Sequence, residues 1–232
     1  MVTEFTASDA RALAPRWHTA LLVALILAVA ITGTLLEQHA APVAAQSPVE
    51  SRIVRQYLPL LLVNWGLTAY VCRLFLTHST LPALLGRRWN EGGLLLDLLL
   101  AFVLGMLIVA LESLALHGNG AGRNAATWAL LPSTEAERLT WLLVALSVGF
   151  CEEVVYRGYL QTQLGAFSGH PAIGVVAQAV LFGLAHLEQG VASALRVTGY
   201  GLVFGALAQF RRSLLPGIVC HVGIDLASAF LR

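Results

Sequence analysis

Long apolar runs are the feature that most restricts what this chain can fold into. Thr19–Leu36, Tyr57–Leu76 and Leu94–Leu116 approach or exceed the roughly 20 residues a helix needs to cross hydrocarbon. A soluble α/β core can be apolar in patches, but it does not carry runs of this length. Composition agrees: the chain is 57% hydrophobic and 12% charged, against about 45–50% apolar and about 25% charged in ordinary soluble domains. A net charge of +1 with no clustered basic run argues against nucleic acid as a partner, because phosphate binding needs a clustered basic face. The lipid bilayer is the partner the composition demands.

Four further runs follow, at about Leu139–Leu164, Pro171–Leu187, Val191–Phe210 and Ser213–Leu231. The expected fold is an all-α polytopic membrane helix bundle of about seven transmembrane helices. Residues 1–137 read as a polar tail and three helices, and 138–232 as a four-helix core whose short turns force antiparallel neighbours. The small-residue stretch Val43-Ala44-Ala45 lies too far beyond the first run for a signal-peptide cleavage site, so that run is expected to stay as an anchor. Arg11, Arg16, Arg73, Arg87, Arg88, Arg211 and Arg212 would share one side, and Arg52, Arg55, Arg123, Arg138 and Arg232 the other. The positive-inside rule then favours a cytoplasmic N-terminus. Every basic residue is arginine, a usage that hints at a GC-rich bacterial genome and hence at the bacterial cytoplasmic membrane.

An ionisable group near the bilayer centre costs on the order of 2.5–3.5 kcal/mol on insertion scales, so it is read first as functional. Asp97 and Glu112 lie near the ends of the third run and read as solvated helix-end acids. Gly201-x-x-x-Gly205 reads as a close helix contact. Cys72, Cys151 and Cys220 lack paired spacing and read as small buried hydrophobes. The remaining groups are harder to dismiss: Glu152, Glu153, Arg157, His186, His221 and Asp225 all fall within the last four runs.

Glu153 and Arg157, four apart, share a helix face and are expected to neutralise each other as a supporting ion pair. Glu152, about 100° away around the helix, is left without a partner on its own helix. Such a carboxylate suits proton transfer from water. His221 and Asp225 are again four apart. With His186 on a separate helix, these groups could orient a water, take its proton and stabilise an oxyanion, which is what peptide hydrolysis requires. The same set would suit a divalent metal such as zinc, and the residues alone do not choose between the two mechanisms. The H-E-x-x-H and G-x-S-x-G patterns are both absent, as is any histidine spaced to serve Ser193 or Ser213.

Three motifs in order, Glu152-Glu153-x-x-x-Arg157, Phe182-x-x-x-His186 and His221-x-x-x-Asp225, resemble those of the CAAX protease and bacteriocin-processing (CPBP, or Abi) family of intramembrane proteases. The resemblance spans about residues 139–231. The stretch Phe204–Ile218 resembles the hairpin that precedes the family's last histidine. The resemblance implies that Glu152 and His186 activate water, and that His221 and the residue at 225 hold the oxyanion. Many members carry asparagine at that last position. Asp225 donates a hydrogen bond only when protonated, and otherwise it would orient His221 or bind a metal. The family has been described both as metal-dependent and as glutamate-type, and the glutamate mechanism is favoured here.

The function expected is therefore an intramembrane endopeptidase acting on a membrane-associated protein or peptide. A transporter or proton relay could use the same buried groups, although no inverted repeat or broken helix pair marks the sequence. A silent scaffold would leave the polar set without a purpose.

Overall fold

The computed structural model describes residues 12–40, 52–78, 93–118 and 130–229, and it describes no side chains at 37–40, 74–78 and 115–118. Arg11, Val43-Ala44-Ala45, Arg87, Arg88, Arg123, Arg232 and most of the glycine-rich connection after His117 lie outside the described residues. Among those residues the fold is all-α, with seven helices and no strand. They are α1 (Arg16–Ala40), α2 (Leu58–His78, entered through a π turn at Ile53–Tyr57) and α3 (Leu94–Gly118). α4 (Glu135–Ser168), α5 (Pro171–Leu184), α6 (Val191–Arg211) and α7 (Leu215–Ser228) complete the set.

Within the described residues, α1, α3, α4 and α6 are long and apolar enough to cross a membrane. α5 and α7, at 14 residues each, rise only about 21 Å at 1.5 Å per residue, short of a hydrocarbon core of about 30 Å. The chain is an integral, multi-pass membrane protein whose two shortest helices sit beside the longest one.

α4 begins four residues before its apolar run because of a capping box. The Thr134 hydroxyl accepts from the Glu137 amide at 3.2 Å, and Glu137 Oε2 accepts from the Thr134 amide at 3.1 Å. This satisfies two of the donors a helix start leaves open. Arg52 adds an ion pair to the same oxygen at 2.9 Å. In mid-course the helix widens into a π segment, Glu153–Leu160, with the Gln161 amide bonding back to Tyr156 O. All eight residues of that segment are buried, so this stretch of α4 is surrounded by protein on every side. α5 is shorter than its apolar run because the chain turns at Ala185 and His186 into a 3₁₀ turn, Leu187–Gln189.

Two small-residue contacts and one polar knot draw the helices together. A Cβ at Gly201 would stand 2.8 Å from Ala179 Cα, and one at Gly205 would stand 2.6 Å from Gln178 Nε2. The Gly201-x-x-x-Gly205 pair therefore seats α6 directly on α5. Gln178 and Gln161 each donate to a carbonyl of this glycine pair, at 2.8 and 3.0 Å. At the other end of α4, Gln163 bonds the backbone of Leu13 and Ala14 and the hydroxyl of Thr19. Tyr159 takes His18 at 2.7 Å. This fixes α1 to α4, with Tyr70 of α2 donating to His18 O at 3.2 Å.

Asp97 and Glu112 are not solvated helix ends. Asp97 is 1% exposed and pairs with Arg211 at 2.6 Å. Glu112 pairs with Arg196 at 3.6 Å and accepts from the Tyr200 hydroxyl. The same fifteen-residue interval separates Asp97 from Glu112 and Arg196 from Arg211. α3 and α6 are thus antiparallel and clipped together at two points about 22 Å apart along each axis. α7 packs mainly on α3 and α4 and only lightly on α6, so the first three helices share packing with the last four.

Candidate active site

A cavity of about 550 Å³ opens among all seven helices. Glu152, His186, His221 and Asp225 all line it, together with Tyr156, Phe182 and Phe204. α4 supplies Glu152 just before the π segment. The turn after α5 supplies His186, and successive turns of α7 supply His221 and Asp225.

Glu152 and Glu153 diverge. Glu153 is fully buried, with Oε1 3.1 Å from Arg157 Nη1 and 3.1 Å from His221 Nδ1. Glu152 faces the cavity instead. Its Oε2 makes no hydrogen bond among the described residues, and the His221 Nε2 atom stands 3.7 Å away. The expected ion pair between Glu153 and Arg157 is present. The guanidinium lies over the Phe182 ring at 4.1 Å and near Phe204 at 5.3 Å. Aromatic faces thus take up part of the cation, whose Nη1 faces the Glu153 carboxylate.

His186 sits beyond the end of α5 and not within it. Its Nδ1–H donates to Phe182 O at 2.8 Å, satisfying one of the carbonyls that a helix end leaves open. That bond puts the proton on Nδ1 and turns Nε2, as a lone pair, toward the cavity. The Phe182 ring meets His186 edge-on, with centroids 4.8 Å apart. His221 Nε2 lies 3.9 Å from Asp225 Oδ2, so the four-residue spacing does bring these groups to one face.

The reading of the sequence missed two things. Glu153 serves His221 as well as Arg157, a contact between residues 68 apart that no local spacing reveals. The opposite wall of the cavity is also polar, formed by Glu112, Ser193, Arg196 and Tyr200, with Arg196 donating to Ser193 Oγ at 3.0 Å. The equal intervals in α3 and α6 were the available signal for that wall. Among the described residues no three His, Cys, Asp or Glu side chains are disposed to hold a metal ion.

A buried carboxylate lines the cavity beside two differently held histidines, within a bundle of apolar helices. Residues 134–227 match the family model described as "Type II CAAX prenyl endopeptidase Rce1-like". Through α4–α7 the chain is thus similar to CAAX-type prenyl endopeptidases, the family its motifs resemble. The match begins at the capping box of α4 and ends in α7, leaving α1–α3 outside it. No curated protein and no solved structure matches the chain.

Proposed function

We propose that this protein is an intramembrane endopeptidase of glutamate type. Its substrate is a membrane-associated protein or peptide, such as a peptide leader, a small membrane protein or a C-terminal sorting anchor of a bacterial cytoplasmic membrane. The observation that carries this reading is the Glu152 carboxylate, aimed into a cavity that His186, His221 and Asp225 also line while its neighbour Glu153 is held away. Glu152 takes a proton from a water that His186 Nε2 orients. The hydroxide oxygen attacks the scissile carbonyl carbon. His221 Nε2–H stabilises the oxyanion, joined by Asp225 when that side chain carries a proton. The C–N bond then breaks as Glu152 passes its proton to the leaving nitrogen. In this scheme Arg157 keeps Glu153 in place.

Separate Glu152→Ala and His186→Ala variants test the assignment. Each is expected to lower cleavage of candidate membrane peptides by about 10²–10⁴-fold, the range for a lost acid–base group, with an unchanged gel-filtration profile in detergent. Cleavage that persists in both variants would overturn the proposal.

A further inference from the structure

We infer that Glu153 is a positioning residue for His221, and that Gly217 is the place in α7 where the fold makes room for it. The inference deepens the proposed function and rests on it for the use of His221 in the reaction, though the positioning itself is measurable without a substrate.

The carboxylate of Glu153 is wedged between α4 and the first turn of α7. Oε1 meets His221 Nδ1 and Arg157 Nη1, each at 3.1 Å. Oε2 lies against Gly217, where a Cβ would stand 2.8 Å from it. Gly217 and His221 are four apart on one face of α7, so the missing side chain at 217 lets the carboxylate slide under the ring. Phe204 and Phe182 then frame that ring, with centroids 5.6 and 6.1 Å from it.

The consequence is a difference between the two histidines. His186 Nδ1 faces a backbone carbonyl, so its ring carries one proton there and a lone pair at Nε2. His221 Nδ1 faces a carboxylate, while its Nε2 has Glu152 at 3.7 Å and Asp225 at 3.9 Å. The charged and titratable groups around His221 are Glu152, Glu153 and Arg157 of α4, Asp225 of α7 and His186 after α5. With a carboxylate at each ring nitrogen, His221 carries both protons and presents Nε2–H to the cavity. One histidine accepts and the other donates, a division of labour set by what each Nδ1 touches.

The test is nitrogen NMR of the full chain in detergent micelles with ¹⁵N-labelled histidine, assigned through His186→Gln and His221→Gln. The wild type is expected to show both His221 nitrogens as protonated and one His186 nitrogen as unprotonated. In Glu153→Gln the amide oxygen still accepts from Nδ1–H but brings no charge, so His221 Nε2 is expected to move to the unprotonated type. Gly217→Ala keeps every polar group and pushes on the carboxylate. It is expected to disturb the His221 signals, and to lower hydrolysis by about 10²-fold, the cost of a misplacement near 1 Å, while His186 is unmoved. Gly217→Ala also provides the test if Glu153→Gln does not fold.

A wild-type His221 with a single protonated nitrogen would overturn the inference, as would His221 signals unchanged in the variants. If the signals behave as expected but no peptide is cut, the positioning stands and the proteolytic reading fails. If peptides are cut while His221 reads as singly protonated, the positioning alone fails.

Discussion

α4 and α3 are both long enough to cross a membrane, yet they are held in the fold in opposite ways. About two-thirds of the most apolar window of α4 is buried, 67% against 17% for α3. α4 is the axis of the molecule and carries Glu152, Glu153 and Arg157. α3 is a stave on the outside, held by ion pairs at its two ends and by the small cluster of Ala101, Ile108, Phe204 and Cys220 between them. The difference teaches where charge can be spent. On α4 Glu153 is matched by Arg157 one turn on, and both glutamates face His221 across in α7. On α3 a pair with Arg196, 39% exposed, holds one end of the helix at the cavity wall and can rearrange at little cost.

Three substitutions and one control would break or sharpen that contrast. The largest effect is expected from Arg157→Leu, which takes one of its two cationic partners from the fully buried Glu153 carboxylate and leaves it only His221. Removing one partner of a buried pair costs about 3–5 kcal/mol, and the variant should melt far below the wild type when followed by scanning fluorimetry in detergent. A wild-type melting temperature would mean that α4 is not the axis described above. Gly201→Ala comes next, because a Cβ there meets Ala179 at 2.8 Å. Overpacking of this kind costs about 1–3 kcal/mol. Gly199→Ala, where a Cβ meets nothing within 4 Å, should melt like the wild type, and equal losses in the two variants would refute the close α5–α6 contact. The smallest effect is expected from Glu112→Gln. Exposed and half-exposed pairs contribute about 0–1 kcal/mol, so the melt should shift little. A large loss would mean that α3 is as firmly bound as α4.

Much of this was legible beforehand, for reasons that are local. The apolar runs gave seven helices, because the length of each run reports how much chain avoids water. The four-residue spacings of Glu153 with Arg157 and of His221 with Asp225 predicted shared faces, and both pairs are within 4 Å. The capping box at Thr134 and Glu137 was present in the sequence as a Thr-x-x-Glu pattern and would have placed the start of α4 correctly. Asp97 and Glu112 were misjudged because proximity to a helix end was taken for access to water. Their partners lie 114 and 84 residues further on, and only packing brings them there.

The sequence by itself determined that this chain lives in a membrane as a bundle of helices. It also marked Glu152, Glu153, Arg157, His186, His221 and Asp225 as ionisable groups inside apolar runs, because hydrophobicity and helical spacing act over a few residues and need no knowledge of neighbours. Only the tertiary structure decided which partners those residues meet. The π segment of α4, the gap at Gly217 and the turn after α5 set which atom each Nδ1 meets. Those meetings follow from how three separate helices dock, and no interval along the chain encodes them.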